Sequence, residues 1–232
     1  MSSLSKKARV AGLLFFLASA VGLVRLMYIP KTLIVDGNAS ATASNIAAHE
    51  SLFRFGIVAY LIAGVLWIFI PLALYRLFRE INRSLAVVMV ILGSLMQTPL
   101  FIVNTVTDAA ALRLVSGVDF LSVIDKPQRE ALAMLSLEMH HHLDLANSIF
   151  WGLWLFPFGM LVYRSRFLPR FFGVWLMLAC FAWLTFSTTG LLFPAHTDTV
   201  FRITQPVALG EVVTMLWLLV MGAKEQRLAA KS

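Results

Sequence analysis

Within Glu138-Met139-His140-His141-His142-Leu143-Asp144, three imidazoles stand between two carboxylates at helical spacing. Such groups together can pass protons, hold a metal ion or bind a polar ligand. His140 and Asp144 are four residues apart and Asn147 is three further on, so they share one helix face, which continues to Trp151 and Trp154. Gln97, Asn104 and Asp108, spaced by seven and four, read as a second polar stripe. Glu50 and Arg54 make a third, four apart with the acid first, the order that favours an ion pair on a helix. As a pair near lipid, it is expected to cost about 2–4 kcal/mol when one partner is removed. Glu211 and Arg25 stand in apolar runs of their own. An Arg near the end of such a run can snorkel to the headgroups.

The metal reading places a divalent ion, zinc, on His140 and Asp144. Zinc takes three or four protein ligands, so His196, His49 or Glu211 must complete the set, with His196 the leading candidate. Glu138 could instead pair with His141 or His142. Adjacent His residues on a helix point in different directions, so at most two serve one site. The chain has no His-Glu-x-x-His motif. A haem between His140 or His142 and His196 would lack an attachment motif. Ser187, Thr188 and Thr189 have no base close by in sequence, and hydroxyls in apolar helices usually bond their own backbone. The ligand-pocket candidates are therefore Glu50, Arg54, Asn104, Asp108, His140, Asp144, Asn147 and Glu211, with His140, Asp144 and His196 as the metal alternative. No other cofactor is assigned.

The elements that must position these groups are long apolar runs at residues 8–29, 53–75, 85–107, 145–163, 171–193 and 206–222. Each is long enough to cross about 30 Å of hydrocarbon as a helix. None alternates as a membrane β-strand would. The chain has 232 residues, of which 59% are hydrophobic and only 13% charged, whereas a soluble domain carries about 25% charged residues. The fold class is an all-α integral membrane bundle of six transmembrane helices, one domain over residues 1–232. The apolar run after Lys6, Lys7 and Arg9 continues to Ile29, too long for a cleaved signal, so the first span is expected to be retained.

Charge orients the bundle. Twelve of the nineteen Lys and Arg residues fall in four stretches: Lys6, Lys7 and Arg9; Arg76, Arg79 and Arg83; Arg164, Arg166 and Arg170; and Lys224, Arg227 and Lys231. These lie at alternate boundaries, which predicts that both ends face the cytoplasm. The same placement explains the net charge of +7 without a nucleic-acid partner. The polar stripes then lie toward the opposite, outer side. There, Asp36-Gly37-Asn38 reads as a turn, and Asp125-Lys126-Pro127-Gln128 as a helix start that lies outside the bilayer. Arg9-Val10-Ala11-Gly12 and Arg170-Phe171-Phe172-Gly173 echo each other. We read both as helix starts that need a small residue for close packing.

Several motifs run along the chain: Arg9-Val10-Ala11-Gly12, Glu50-Ser51-Leu52-Phe53-Arg54 and Leu74-Tyr75-Arg76-Leu77 with Asn82. They continue through Phe150-Trp151-Gly152-Leu153, Tyr163 to Arg170 with Gly173, and Gly210-Glu211 with Leu216-Trp217-Leu218-Leu219 and Gly222. On these the chain resembles, over nearly its whole length, a bacterial family of multi-pass membrane proteins, domain of unknown function 4386. The family pattern has a His where this chain has Trp154, which counts against a catalytic metal here. The resemblance implies a six-helix bundle in the bacterial plasma membrane and no particular reaction. The expected role is to bind or pass a small ligand or lipid headgroup, or to support a partner membrane protein. A membrane-embedded, metal-dependent hydrolase at the outer leaflet is the alternative.

Overall fold

The computed structural model describes residues 3–223. The cationic stretch Lys224, Arg227 and Lys231 lies outside the described residues. The described chain is an all-α bundle of seven helices: α1 Ser3–Leu33, α2 Ala39–Ala48, α3 Glu50–Phe78, α4 Arg83–Ser116, α5 Lys126–Ser165, α6 Arg170–Leu192 and α7 Pro194–Val220. All except the ten-residue α2 are long and apolar enough to cross a membrane. Their outward residues are apolar, among them Leu13, Phe55, Val58, Val106, Phe181 and Val220, a surface suited to lipid acyl chains.

The helix boundaries have local causes. Asn38 Oδ1 accepts the Ala41 N–H at 2.9 Å to cap α2, and Gly37 supplies the positive φ (+71°) of the preceding turn. Asn82 caps α4 through Leu85 N–H at 3.0 Å, and Asp125 caps α5 through Gln128 N–H at 2.8 Å. Arg166, in the left-handed region at φ 59°, closes α5 ahead of Pro169. After the Asp36-Gly37-Asn38 turn, the Asn38 cap starts α2 at Ala39. The sequence reading needs correcting at one place: the last helix starts well before Pro206, which lies inside it. A proline removes only its own ladder bond and leaves one carbonyl bare, so the helix continues.

Two of the long helices are locally widened. Val24–Tyr28 in α1 and Ile91–Leu95 in α4 form single π-helical turns. Each adds a residue to the turn and shifts the phase of the helix beyond it. In α4 the π turn leads into an irregular step at Met96 and Gln97.

Contacts sort the chain into two compact units. The first contains residues 3–17, 66–98 and 145–223. In it α6 lies against the end of α5 and against α7. A Cβ on Gly173 would sit 2.6 Å from the Gly159 carbonyl oxygen, and one on Gly12 2.5 Å from the Leu219 amide nitrogen. The two glycines of the echoed helix starts thus do serve close backbone approach. Phe158 stacks on Trp154 and meets Phe78 edge-on within the same unit. The second unit contains residues 18–65 and 99–144. Its apolar core is Ile29 and Leu33 of α1, Ile46 of α2, Phe53 of α3, Leu112 of α4 and Leu137 of α5. Gly56 brings α3 onto Ile29, and Gly64 brings it onto Phe101. This second unit carries the polar cluster.

Candidate functional site

Four ionisable side chains meet inside the second unit. Arg25 enters from α1, Asp108 from α4, and His140 and Asp144 from α5. Arg25 Nε and Nη2 each donate to one Asp108 oxygen at 2.6 Å, a bidentate pair in which the side chains are 3% and 0% exposed. The two parallel bonds satisfy both carboxylate oxygens and fix the guanidinium plane. Arg25 lies within the π turn of α1. π turns often occur where one side chain must be re-aimed.

His140 lies between the two carboxylates. Its Nδ1 is 3.1 Å from Asp108 Oδ1 and its Nε2 is 3.3 Å from Asp144 Oδ2. Both approaches are within ion-pair range, while neither ring nitrogen has an aligned hydrogen bond. His140 is therefore held electrostatically and by packing, with Tyr60 tilted against its ring at 5.1 Å between centroids. Asp144 closes the chain. Its Oδ1 accepts Tyr60 OH at 2.8 Å and Asn104 Nδ2 at 2.7 Å, and Asn104 Nδ2 also lies 3.1 Å from the Tyr60 oxygen. Asp144 is 14% exposed, so the cluster reaches its surroundings there and is closed at Arg25.

The formal charges do not cancel. Arg25 offsets one carboxylate. With His140 neutral, the cluster keeps one surplus negative charge, placed at Asp144 and softened by two neutral donors. Buried charge of this kind in a membrane span is expensive and needs partners. The surplus can be met by a proton on His140 or by a cationic group arriving at Asp144.

Four of the eight pocket candidates, Asn104, Asp108, His140 and Asp144, come together here. Asn147 and Glu211 are buried in the other unit, where Asn147 Oδ1 and Glu211 Oε1 have no hydrogen-bond partner among the described residues. Glu50 and Arg54 pair with each other at 2.6–2.7 Å and make no hydrogen bond to the cluster. They are 43% and 61% exposed. The expected cost of about 2–4 kcal/mol for breaking them is therefore too large, and an exposed i,i+4 pair contributes about 0.3–0.5 kcal/mol. Gln97 does not belong to the Asn104–Asp108 stripe. The irregular step after the π turn shifts its phase, and its amide nitrogen Nε2 donates to the Leu92 and Phe150 carbonyls in the first unit.

Two members of the cluster were missed by sequence spacing. Arg25 does not snorkel, because the buried acid Asp108 gives it a partner inside the bundle. A lone intramembrane base and a lone intramembrane acid, each needing a counter-charge, were the available signal. Tyr60 gave none, since a Tyr in an apolar run reads as core.

The metal alternative fits this donor set poorly. Among the described residues no three His, Cys, Asp or Glu side chains are arranged to hold an ion. Asp108 is already taken by Arg25 on both oxygens. His49 and His142 turn back to carbonyls of their own helices, Asn45 and Glu138, and His196 is exposed in the first turn of α7. Ser187 donates to the Leu145 carbonyl and Thr188 to Leu184, so the hydroxyl cluster serves helix backbones.

A family model described as a domain of unknown function, DUF4386, matches residues 10–222. No curated protein and no solved structure matches the chain significantly.

Proposed function

Because this chain belongs to the DUF4386 family, whose function is unassigned, we propose a function from its own residues: it is a multi-pass protein of the bacterial plasma membrane that binds or passes a small ligand, without catalysis, through a polar site facing outward. The observation that carries this reading is the buried chain Arg25–Asp108–His140–Asp144. Four ionisable groups from three helices would not be gathered in lipid for stability alone, since a hydrophobic packing of similar volume is often as stable. The surplus negative charge at Asp144, the accessible end, selects a small cationic group: an amine or the ammonium of a lipid headgroup.

Thermal unfolding of the purified protein in detergent, with ethanolamine, choline or a short primary amine added, tests the site. A ligand at about a hundred times its Kd stabilises by about 2.7 kcal/mol. Wild type is expected to show a saturable upward shift that Asp144→Asn lacks. Shifts of equal size in wild type and Asp144→Asn, or none with any amine, would overturn the reading.

The outward direction rests on the positive-inside bias of the cationic stretches, under which Arg79 and Arg166 would be cytoplasmic and Asn38, Lys126 and His196 outside. In a background with Cys180 replaced by Ala, a Cys at position 126 should react with an impermeant thiol reagent in intact cells, and a Cys at 166 should not. The reverse pattern would turn the site toward the cytoplasm.

A further inference from the structure

We propose that a groove between α3 and α4, separate from the buried cluster, holds the phosphate of an anionic membrane phospholipid between Arg54 and Arg113, with its acyl chain running along Ile57 and Val58. The groove lies wholly within the second unit, is half open and has a volume of about 390 Å³. That is in the range of small-molecule sites, about 300–1,000 Å³. None of Arg25, Asp108, His140 or Asp144 lines it.

Its two ends differ in chemistry. One carries Arg54 from the first turns of α3, and Arg113 and Ser116 from the last turns of α4. Arg54 Nε and Nη2 both point to one oxygen of Glu50, which leaves Nη1 unpaired among the described residues. Arg113 has no side-chain hydrogen bond or ion pair among the described residues. A third guanidinium lies at the rim: a Cβ on Gly117 would sit 2.8 Å from Arg129 Nη1, and Arg129 Nε is buried without a hydrogen-bond partner. Two guanidiniums, Arg54 and Arg113, therefore line this end of the groove, with Arg129 beside the adjoining Gly117. Phosphate oxygens are the ligand whose charge and geometry suit such a set.

The other end is apolar. Ile57, Val58 and Ala109 line it, and Val58 is 53% exposed. A free anion would gain nothing from that floor. A phospholipid would fill both ends at once, headgroup at the helix termini and acyl chain against the span. The placement at the ends of two spanning helices is also where phosphates lie in a bilayer.

Native mass spectrometry of the protein released from mixed phosphatidylglycerol and phosphatidylcholine nanodiscs tests this. Wild type is expected to retain phosphatidylglycerol in preference. Arg113→Gln, which breaks no protein contact, should weaken that retention about tenfold, the worth of one charge-assisted bond. Val58→Trp should fill the floor and weaken it as well, while Lys31→Gln, on an exposed part of α1, should leave it unchanged. Equal retention by wild type and Arg113→Gln would overturn the proposal. So would displacement of the lipid by millimolar inorganic phosphate, which would identify a site for a soluble anion. Amine binding at Asp144 is read by a different experiment, so either reading can fail alone.

Discussion

Arg25→Ala and Asp108→Asn should each lower the unfolding temperature in detergent by about 10 °C, and Arg25→Met combined with Asp108→Leu should recover most of that loss. The reason is the bidentate pair at 2.6 Å with both side chains buried. Removing one partner leaves the other charge buried without its bidentate counter-ion, at a cost of about 3–5 kcal/mol. Each kcal/mol moves the midpoint of a chain of this size by about 2–4 °C. Replacing both charges by apolar side chains of similar volume removes the desolvation penalty with the attraction, so the double variant is milder than either single one. His140 and Asp144 keep their contact in it. Fluorescence-monitored melting of the four proteins measures the effect. Additive losses would mean that the two groups are stabilised by something other than each other.

The second large effect concerns backbone, not charge. Gly173→Val should destabilise the protein by about 1–3 kcal/mol or more, whereas Phe181→Ala on the same helix should stay within about 0.5 kcal/mol. At Gly173 a Cβ would lie 2.6 Å from the Gly159 carbonyl oxygen and 2.7 Å from the Tyr163 amide nitrogen. Neither atom can swing aside as a side-chain tip could, so α6 must part from α5. Phe181 is exposed. The same melting experiment compares them, and an unchanged midpoint for Gly173→Val would show that the helices are not held at this distance in the membrane.

Much of the fold is legible because each span is a long apolar run, and a run of that length has few other structures open to it. The start of α5 was readable for a similar reason: Asp125 and Pro127 each favour one position at a helix N-terminus. The site was only partly legible. Helical spacing correctly put His140 and Asp144 on one face of α5 and Asn104 with Asp108 on one face of α4. It failed at Gln97 because the helix is irregular at Met96 and Gln97, and a hydropathy pattern holds no trace of such a step. It could not assign Arg25 to Asp108, since 83 residues separate them and only the tertiary fold decides whether a base near a helix end turns outward or inward. Tyr60 was invisible for a different reason. Its ring is ordinary core, and its place in the cluster rests on a single hydroxyl that meets Asp144.

The π turn at Val24–Tyr28 gives α1 two registers in one helix. The turn holds one residue more than a regular helix needs, so the hydrogen-bond ladder would close again if one were deleted. Each residue advances an α-helix by about 100°. Were all its residues kept but wound as a regular helix, the two sides of the turn would instead be rotated against each other by about that angle. Either Arg25 would leave Asp108, or Ile29 and Leu33 would leave their apolar core. The surplus residue acts as a phase setting: it lets one helix present a charge and a hydrophobic seam in directions that a regular helix could not satisfy together.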